Sequence, residues 1–186
     1  MNMDAHLATV YLADVVRTFT NYRTLGERAI AQVRGDDDLH RQIDPDSNSI
    51  AIIVKHVAGN LRSRFTDFLT TDGEKPDRNR DGEFEMPERA TRDQILRWWS
   101  DGFAIALHAV EALTPADLSR TVTVRGEEFV VVEALSRSMT HTAYHAGQIV
   151  YVARHLASPN WKSLSIPKGQ SANAPGNYKT KGLARL

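Results

Sequence analysis

A chain of 186 residues, 41% hydrophobic and 25% charged, has the composition of one globular domain, which we expect to span residues 1–186. The 23 basic and 23 acidic side chains balance, and neither a basic block nor an apolar run of ~20 residues occurs, so nucleic-acid and membrane partners are not expected. The absence of cysteine excludes disulfides, thiolate metal ligands and a cysteine nucleophile.

The first part of the chain contains two predicted amphipathic helices. Apolar residues recur every three to four positions over about residues 4–33, until Gly35 and three aspartates interrupt the pattern. This acidic start lacks the charged-then-apolar leader of secreted proteins, so we expect the protein in the cytoplasm. The second helix is predicted over about residues 49–69, with Ser47 or Ser49 as its N-cap.

A polar connection over residues 70–90 precedes the third helix. It contains two Gly and two Pro, so we expect a long solvated surface loop, a kind of segment that can also carry function. Thr91 and Gln94 have the spacing of a capping box, which predicts a helix from there to about Leu113.

The fourth helix follows a predicted β-hairpin. Residues 121–124 and 129–132 are rich in Val, Thr and Phe, and they flank a predicted turn at residues 125–128. Apolar positions then repeat at helical spacing over residues 131–156.

The C-terminal tail, residues 158–186, contains Gly, Pro, Asn and Lys but little periodicity. Trp161, Leu164, Ile166 and Pro167 are too apolar for a free extension, because leaving them in water is unfavourable by ~25 cal/mol per Å². We therefore expect the tail to pack on the body or on a partner subunit.

Four long amphipathic helices in one domain predict an all-α protein. The expected architecture is an up-and-down four-helix bundle with a small β-hairpin before the fourth helix. In such a bundle the second and fourth helices run parallel.

The most informative stretch is His141-Thr-Ala-Tyr-His145, within the fourth predicted helix. Residues four apart differ by only about 40° in direction and one turn in height, so both imidazoles can face one divalent cation. Imidazole and oxygen ligands suit zinc, nickel, iron or manganese. Thr142 stands where the metalloprotease motif has a glutamate, so no protease activity is expected. The alternative is one exposed ring and one hydrogen-bonded core histidine.

His56 is the best candidate for a third ligand. If the second and fourth helices run parallel, His56 and His141 lie ~10 and ~15 Å from the same end of the bundle. These levels agree to within one helical turn. His108 is the alternative, although its apolar flanking sequence also suits a core histidine.

The remaining histidines are not expected to reach the ion. His155 lies ten residues beyond His145, ~15 Å further along the helix. His40 is expected to be solvated in a polar loop, and His6 to lie at a frayed helix start.

Two amides stand one turn beyond the candidate ligands. Asn60 follows His56, and Gln148 follows His145. Because a metal-bound imidazole usually donates its second N–H to a polar group, these amides are candidates to orient the rings or a substrate. The alternative is that both are exposed surface residues. No Asp or Glu is placed clearly enough to be named as a general base.

These features together match a known pattern. His56 in the second helix, the hairpin, and His141-x-x-x-His145 followed by Gly147-Gln148-Ile149 resemble the DinB-like (YfiT-type) superfamily of bacterial metalloenzymes. Residues 161–169 (WKSLSIPKG) are similar to one of its subfamilies without an assigned function. The resemblance covers essentially the whole chain and implies three histidines that bind one nickel or zinc ion. It also implies a possible homodimer.

The same resemblance implies an activity. Members of the superfamily include thiol S-transferases and isomerases that use bacillithiol, mycothiol or glutathione, so a thiol-dependent transferase of small molecules is the expected function. Three protein ligands would leave the metal open to substrate, as in catalytic zinc sites. Two alternatives remain: a metal-dependent hydrolase that activates water, and a non-catalytic protein in which the ion only ties two helices together.

Overall fold

In a computed structural model of the protein, which describes residues 3–173, four long helices pack around one hydrophobic core. The helices are α1 (Met3–Ile30), the four-residue α2 (Asp36–Leu39), α3 (Ile50–Phe65), α4 (Arg92–Glu111) and α5 (Val131–Ala157). Strands β1 (Thr121–Val124) and β2 (Glu127–Val130) form an antiparallel hairpin directly before α5. The predicted all-α bundle with a small hairpin is confirmed.

Aromatic side chains from three helices meet at the centre of the bundle. The ring of Phe19 on α1 lies 5.6 Å from that of Phe65 on α3 and 6.3 Å from that of Phe103 on α4. Gly102 lets α3 and α4 approach closely, since a Cβ there would lie 2.9 Å from the Cα of Ala58. Apolar stripes at helical spacing therefore do form one shared core.

The helix directions differ from simple alternation. Ile53, near the start of α3, shares a surface depression with Val152, near the end of α5. Phe65, at the end of α3, shares a cavity with Ala134, near the start of α5. The second and fourth predicted helices, α3 and α5, are therefore antiparallel, and the expectation that they run parallel was wrong.

The long connection between α3 and α4 explains this topology. Residues 66–91 are numerous enough to run back along the bundle, so α3 and α4 can be parallel neighbours. The height of His56 along the bundle axis is nearly the same for either direction of α3, because His56 lies near the middle of this 16-residue helix.

The connection itself is also different from the solvated loop that was expected. α3 ends at Phe65 rather than near residue 69, and Asp67 adopts a left-handed backbone with φ of 48°. Gly73 N donates to Thr123 O of β1 at 2.8 Å, and Asp72 accepts hydrogen bonds from the hairpin turn. A 3-10 turn at Asp81–Phe84 then places Glu83 in a buried position. Regular hydrophobic spacing does not reveal contacts of this kind.

The hairpin uses a two-residue turn instead of the predicted four. Arg125 and Gly126 both have positive φ, 57° and 76°, as the turn that best fits twisted strands requires. The second strand consequently begins two residues earlier than expected, at Glu127. The capping box of Thr91 and Gln94 at the start of α4 is present as predicted.

Part of the tail contacts the bundle. Leu164 is buried, Trp161 packs against the core, and Gln32 exchanges two hydrogen bonds with the backbone of Lys162. Of the other tail residues predicted to pack, Ile166 is half-buried and Pro167 is exposed. Residues 174–186 lie outside the described part of the chain. Among the described helices, none combines the length and apolar character that a membrane crossing requires.

Candidate metal centre

Three histidines from two helices meet inside the bundle. The Nε2 atom of His141 lies 3.2 Å from Nε2 of His56 and 3.2 Å from Nε2 of His145. One nitrogen of each ring lies within 4.8 Å of the others. His56 and His145 are buried and His141 is half-buried, so the cluster sits on the inward faces of α3 and α5. The three histidines predicted as metal ligands are therefore adjacent in space.

The outer nitrogen of His56 is held by a charged group. Its Nδ1 donates to Oε2 of Glu83 at 2.9 Å, and both side chains are buried. Arg78 in turn donates to both oxygens of Glu83, at 2.8 and 2.9 Å. This bidentate pair fixes the carboxylate, which fixes the ring.

Glu83 reaches His56 only because Gly59 leaves space. A Cβ at Gly59 would overlap the Glu83 carboxylate. Neither Glu83 nor Arg78 was among the predicted site residues, because both lie in the connection that was expected to be solvated. The one sequence feature that could have indicated burial of this segment is the apolar Phe84 next to Glu83. In the structure the Phe84 ring lies 4.7 Å from that of His56.

The outer nitrogen of His145 is held by a neutral group. Its Nδ1 donates to Oε1 of Gln148 at 2.8 Å, and the Gln148 amide donates to the hydroxyl of Tyr144 at 3.0 Å. Gln148 is therefore placed to orient a ring. Asn60 is not, because the Nδ1 of His56 is already bonded to Glu83; Asn60 lies instead in the wall of a cavity.

The hydrogen bonds leave unprotonated nitrogens facing one another. His56 and His145 both donate their Nδ1–H outward, so in the neutral rings each Nε2 presents a lone pair inward. His141 Nε2 carries at most one hydrogen and can satisfy only one of the two. A cation among the three nitrogens would satisfy all of them.

The spacing also fits a metal ion. Nitrogen ligands ~2.0–2.1 Å from a tetrahedral zinc ion lie roughly 3.3 Å from one another. The two measured Nε2 separations of 3.2 Å match that value. The residues present therefore fit a small divalent ion.

Burial keeps two of the histidines uncharged. It lowers the pKa of His141 to about 3, and the two neighbouring imidazoles lower it further, because a proton on either of them would repel a proton on His141. It also lowers the pKa of His145. For Glu83, burial raises the pKa, but hydrogen bonds from His56 and Arg78 outweigh it and hold the pKa below its usual range. Neutral rings supported by a charged carboxylate are the protonation states that metal binding needs.

A cavity of about 600 Å³ opens beside the cluster, and its wall includes His56, His141, Asn60 and Tyr144. It lies between α3, α5, the connection and the hairpin turn, and two of the three histidines, His56 and His141, line it. Cavities of this volume are typical of small-molecule sites.

The other histidines lie elsewhere. His155 and His108 are exposed, so the suggestion that His108 is a core histidine was wrong. His40 was expected to be solvated, but it is half-buried and its Nε2 hydrogen-bonds to Ala90 O at 2.8 Å. His6 is exposed on α1.

The chain belongs to the family described as "Protein of unknown function (DUF1572)", which it matches over residues 6–170. The matched region includes the three histidines, Glu83 and the cavity. No curated protein matches the chain.

Proposed function

We propose that the protein is a metalloenzyme in which His56, His141 and His145 hold one divalent ion, zinc or nickel. The observation that carries this proposal is the convergence of three Nε2 atoms with two outer nitrogens tied to Glu83 and Gln148. Such outer partners orient imidazole ligands and raise their basicity. Three protein ligands would leave a coordination position for substrate.

We also propose that this family is part of the DinB-like (YfiT-type) superfamily. Three histidines from two helices support the assignment, as does the hairpin before α5. The amide that follows the histidine pair, Gln148, supports it as well, since it contacts His145.

Within this class the proposed activity is a thiol-dependent S-transfer to a small molecule. The sulfur of the thiol bonds to an electrophilic carbon as the bond from that carbon to its leaving group breaks, and the thiol proton passes to solvent. A divalent ion, when bound, lowers the pKa of a thiol or water and supplies a nucleophile at neutral pH. The chain contains no cysteine, so the sulfur comes from a low-molecular-weight cosubstrate.

The protein's own residues orient and enclose the reactants. Glu83 and Gln148 hold two of the rings in place, and the cavity wall encloses one side of the site. Positioning of this kind lowers the entropic part of the barrier.

Metal content tests the ligand assignment. Protein purified without chelators should contain a stoichiometric divalent ion by elemental analysis, and His145→Ala should lose it. His155→Ala is the matched control, because His155 is an exposed histidine on the same helix. Full metal retention in His145→Ala would overturn the assignment.

Turnover separates the candidate activities. Metal-loaded protein is assayed against alkyl halides, epoxides and esters, with and without bacillithiol, mycothiol, glutathione and coenzyme A. Thiol-dependent turnover supports the transferase, whereas ester hydrolysis without thiol selects the hydrolase. If none of these thiols changes the near-ultraviolet spectrum of cobalt-substituted protein, the transferase is excluded. Metal binding without any turnover would leave the structural role.

A further inference from the structure

We propose that the cavity beside the histidines binds a small molecule with an oxyanion group, carboxylate or phosphate, through Arg80, Arg125 and Arg137. The inference deepens the proposed function and rests on it in one respect: it takes this anion to be the substrate or thiol cosubstrate of the metal centre.

The cavity concentrates positive charge. The chain as a whole has equal numbers of basic and acidic residues, so composition does not account for the cluster. No acidic side chain in the described part of the chain lines the cavity. Five arginines line it: Arg64, Arg78, Arg80, Arg125 and Arg137.

The two inner arginines are already neutralised. Arg64 donates to Glu74 at 2.7 Å, and Arg78 binds both Glu83 and Glu74. Their side chains are mostly buried, and their charges are balanced by two carboxylates behind the cavity wall. These arginines build the site and are not counted as ligand-binding groups.

The three outer arginines keep free donors. Among the described residues, the Arg125 guanidinium contacts one acidic side chain, through its Nε, which lies 3.2 Å from a Glu74 oxygen that other arginines share. Arg80 lies over the Phe84 ring, and its one ion pair with a described residue is a 3.5 Å contact with Asp81. The Asp81 side chain is 95% exposed, and such surface pairs contribute little. Arg137 lies over the Phe129 ring and forms no ion pair with any described residue. Guanidinium groups in this state are well suited to carboxylate or phosphate.

Two polar side chains in the wall also lack partners. Ser138 and Asn60 are each more than nine-tenths buried and line the cavity. Neither the Ser138 hydroxyl nor the Asn60 amide forms a hydrogen bond with any residue in the described range 3–173. An unpaired polar group that is buried is unfavourable, so a polar ligand that bonds to the Ser138 hydroxyl would stabilise the site.

These groups define an orientation for the ligand. Ser138 precedes His141 by one turn of α5, and Asn60 follows His56 by one turn of α3, so both lie beside the candidate metal ligands. The outer arginines lie toward solvent. The anionic group would therefore face the arginines, and the reactive end would face the histidines. A volume of about 600 Å³ admits a metabolite-sized molecule and no macromolecule.

Calorimetry with simple anions tests the site without the natural ligand. Succinate and inorganic phosphate are titrated at low ionic strength into metal-free and zinc-loaded protein, with neutral succinamide as the blank. Arg137→Gln should raise the dissociation constant of the preferred anion about tenfold, because a charge-assisted hydrogen bond is lost. Arg154→Gln, exposed on α5 away from the cavity, should leave it unchanged. Arg80→Gln repeats the test if Arg137→Gln does not fold.

The two anions distinguish the sources of the oxyanion. Succinate binding without phosphate binding assigns a carboxylate ligand, and the reverse assigns a phosphate ligand; both support the site. Equal dissociation constants in wild type, Arg137→Gln and Arg80→Gln would overturn it, as would tighter binding of anionic lipid vesicles or single-stranded DNA.

The outcome is separable from that of the proposed function. Protein that binds stoichiometric metal but discriminates no anion overturns this inference alone. Arginine-dependent anion binding in protein that binds no metal supports the anion site and overturns the proposed function alone.

Discussion

His145 and His56 are supported in different ways. His145 donates to Gln148 on the next turn of the same helix, whereas His56 donates to Glu83, which lies 27 residues further along the chain. One partner is neutral and local, and the other is charged and supplied by a connecting segment. Half of the candidate centre is therefore encoded within α5, and the other half exists only when the fold brings residues 66–91 onto α3.

Removing the charged support should have the largest effect on stability. Glu83→Ala leaves the buried Arg78 without one of its two carboxylates and removes the partner of His56. Breaking a buried ion pair costs about 3–5 kcal/mol, so the free energy of unfolding of metal-free protein should fall by roughly that amount. Urea denaturation of Glu83→Ala and Gln148→Ala compares the free energy of unfolding that each variant loses. Equal losses in the two variants would show that the charged and neutral supports are equivalent.

The local features of the site could be predicted from the sequence, whereas those that depend on the connecting segment could not. The i, i+4 spacing of His141 and His145 and the position of Gln148 are properties of one helix, so periodicity alone places them on one face. Helix starts marked by side chains were also readable, as Thr91 at α4 illustrates.

Features that depend on tertiary contacts were missed. Glu83 lies in a segment whose polar composition is typical of solvated loops, and its burial depends on Arg78, Gly59 and the hairpin turn. The direction of α3 relative to α5 depends on the path of the same connection. His56 was identified although the assumed topology was wrong, because a residue in the middle of a short helix keeps its level in either direction.

Displacing Glu83 without deleting it sharpens the comparison. Gly59→Ala introduces a methyl group into the position of the carboxylate, so the His56 ring loses its orientation. Loss of such an outer partner typically lowers metal affinity by about 10–100-fold. Gly147→Ala is the matched control, since a Cβ there meets nothing within 4 Å. Competition with a chromogenic chelator measures both. Unchanged affinity in Gly59→Ala would contradict the role of Glu83.

Acid should destabilise the metal-free protein through the histidines. The folded-state pKa of His141 is about 3 and that of His145 is also lowered, while both are ~6.5 when unfolded. Between these values the unfolded chain binds more protons, so stability falls as pH decreases below 6.5. From pH 6.5 to 5 the loss should be roughly 1–2 kcal/mol from His141, and the lowered pKa of His145 acts in the same direction.

Urea denaturation across this range, repeated with His141→Asn, isolates the contribution of that ring. A flat stability profile in wild type, or an undiminished slope in His141→Asn, would contradict the lowered pKa.

The neutral support should have the smallest effect. Gln148→Ala removes one hydrogen bond from His145, but the ring stays packed on its own helix. Because Gln148 is half-exposed, water can replace its side chain as the partner of the His145 Nδ1–H. A net hydrogen bond contributes about 0.5–1.5 kcal/mol, so metal affinity should fall by about tenfold or less. Gln148→Glu should restore the affinity, because a carboxylate accepts the same Nδ1–H and adds negative charge near the ion. Chelator competition on the two variants gives the answer. If Gln148→Ala weakens metal binding as much as Gly59→Ala does, the local support of His145 matters as much as the charged support of His56, and the asymmetry inferred from the hydrogen bonds does not extend to metal affinity.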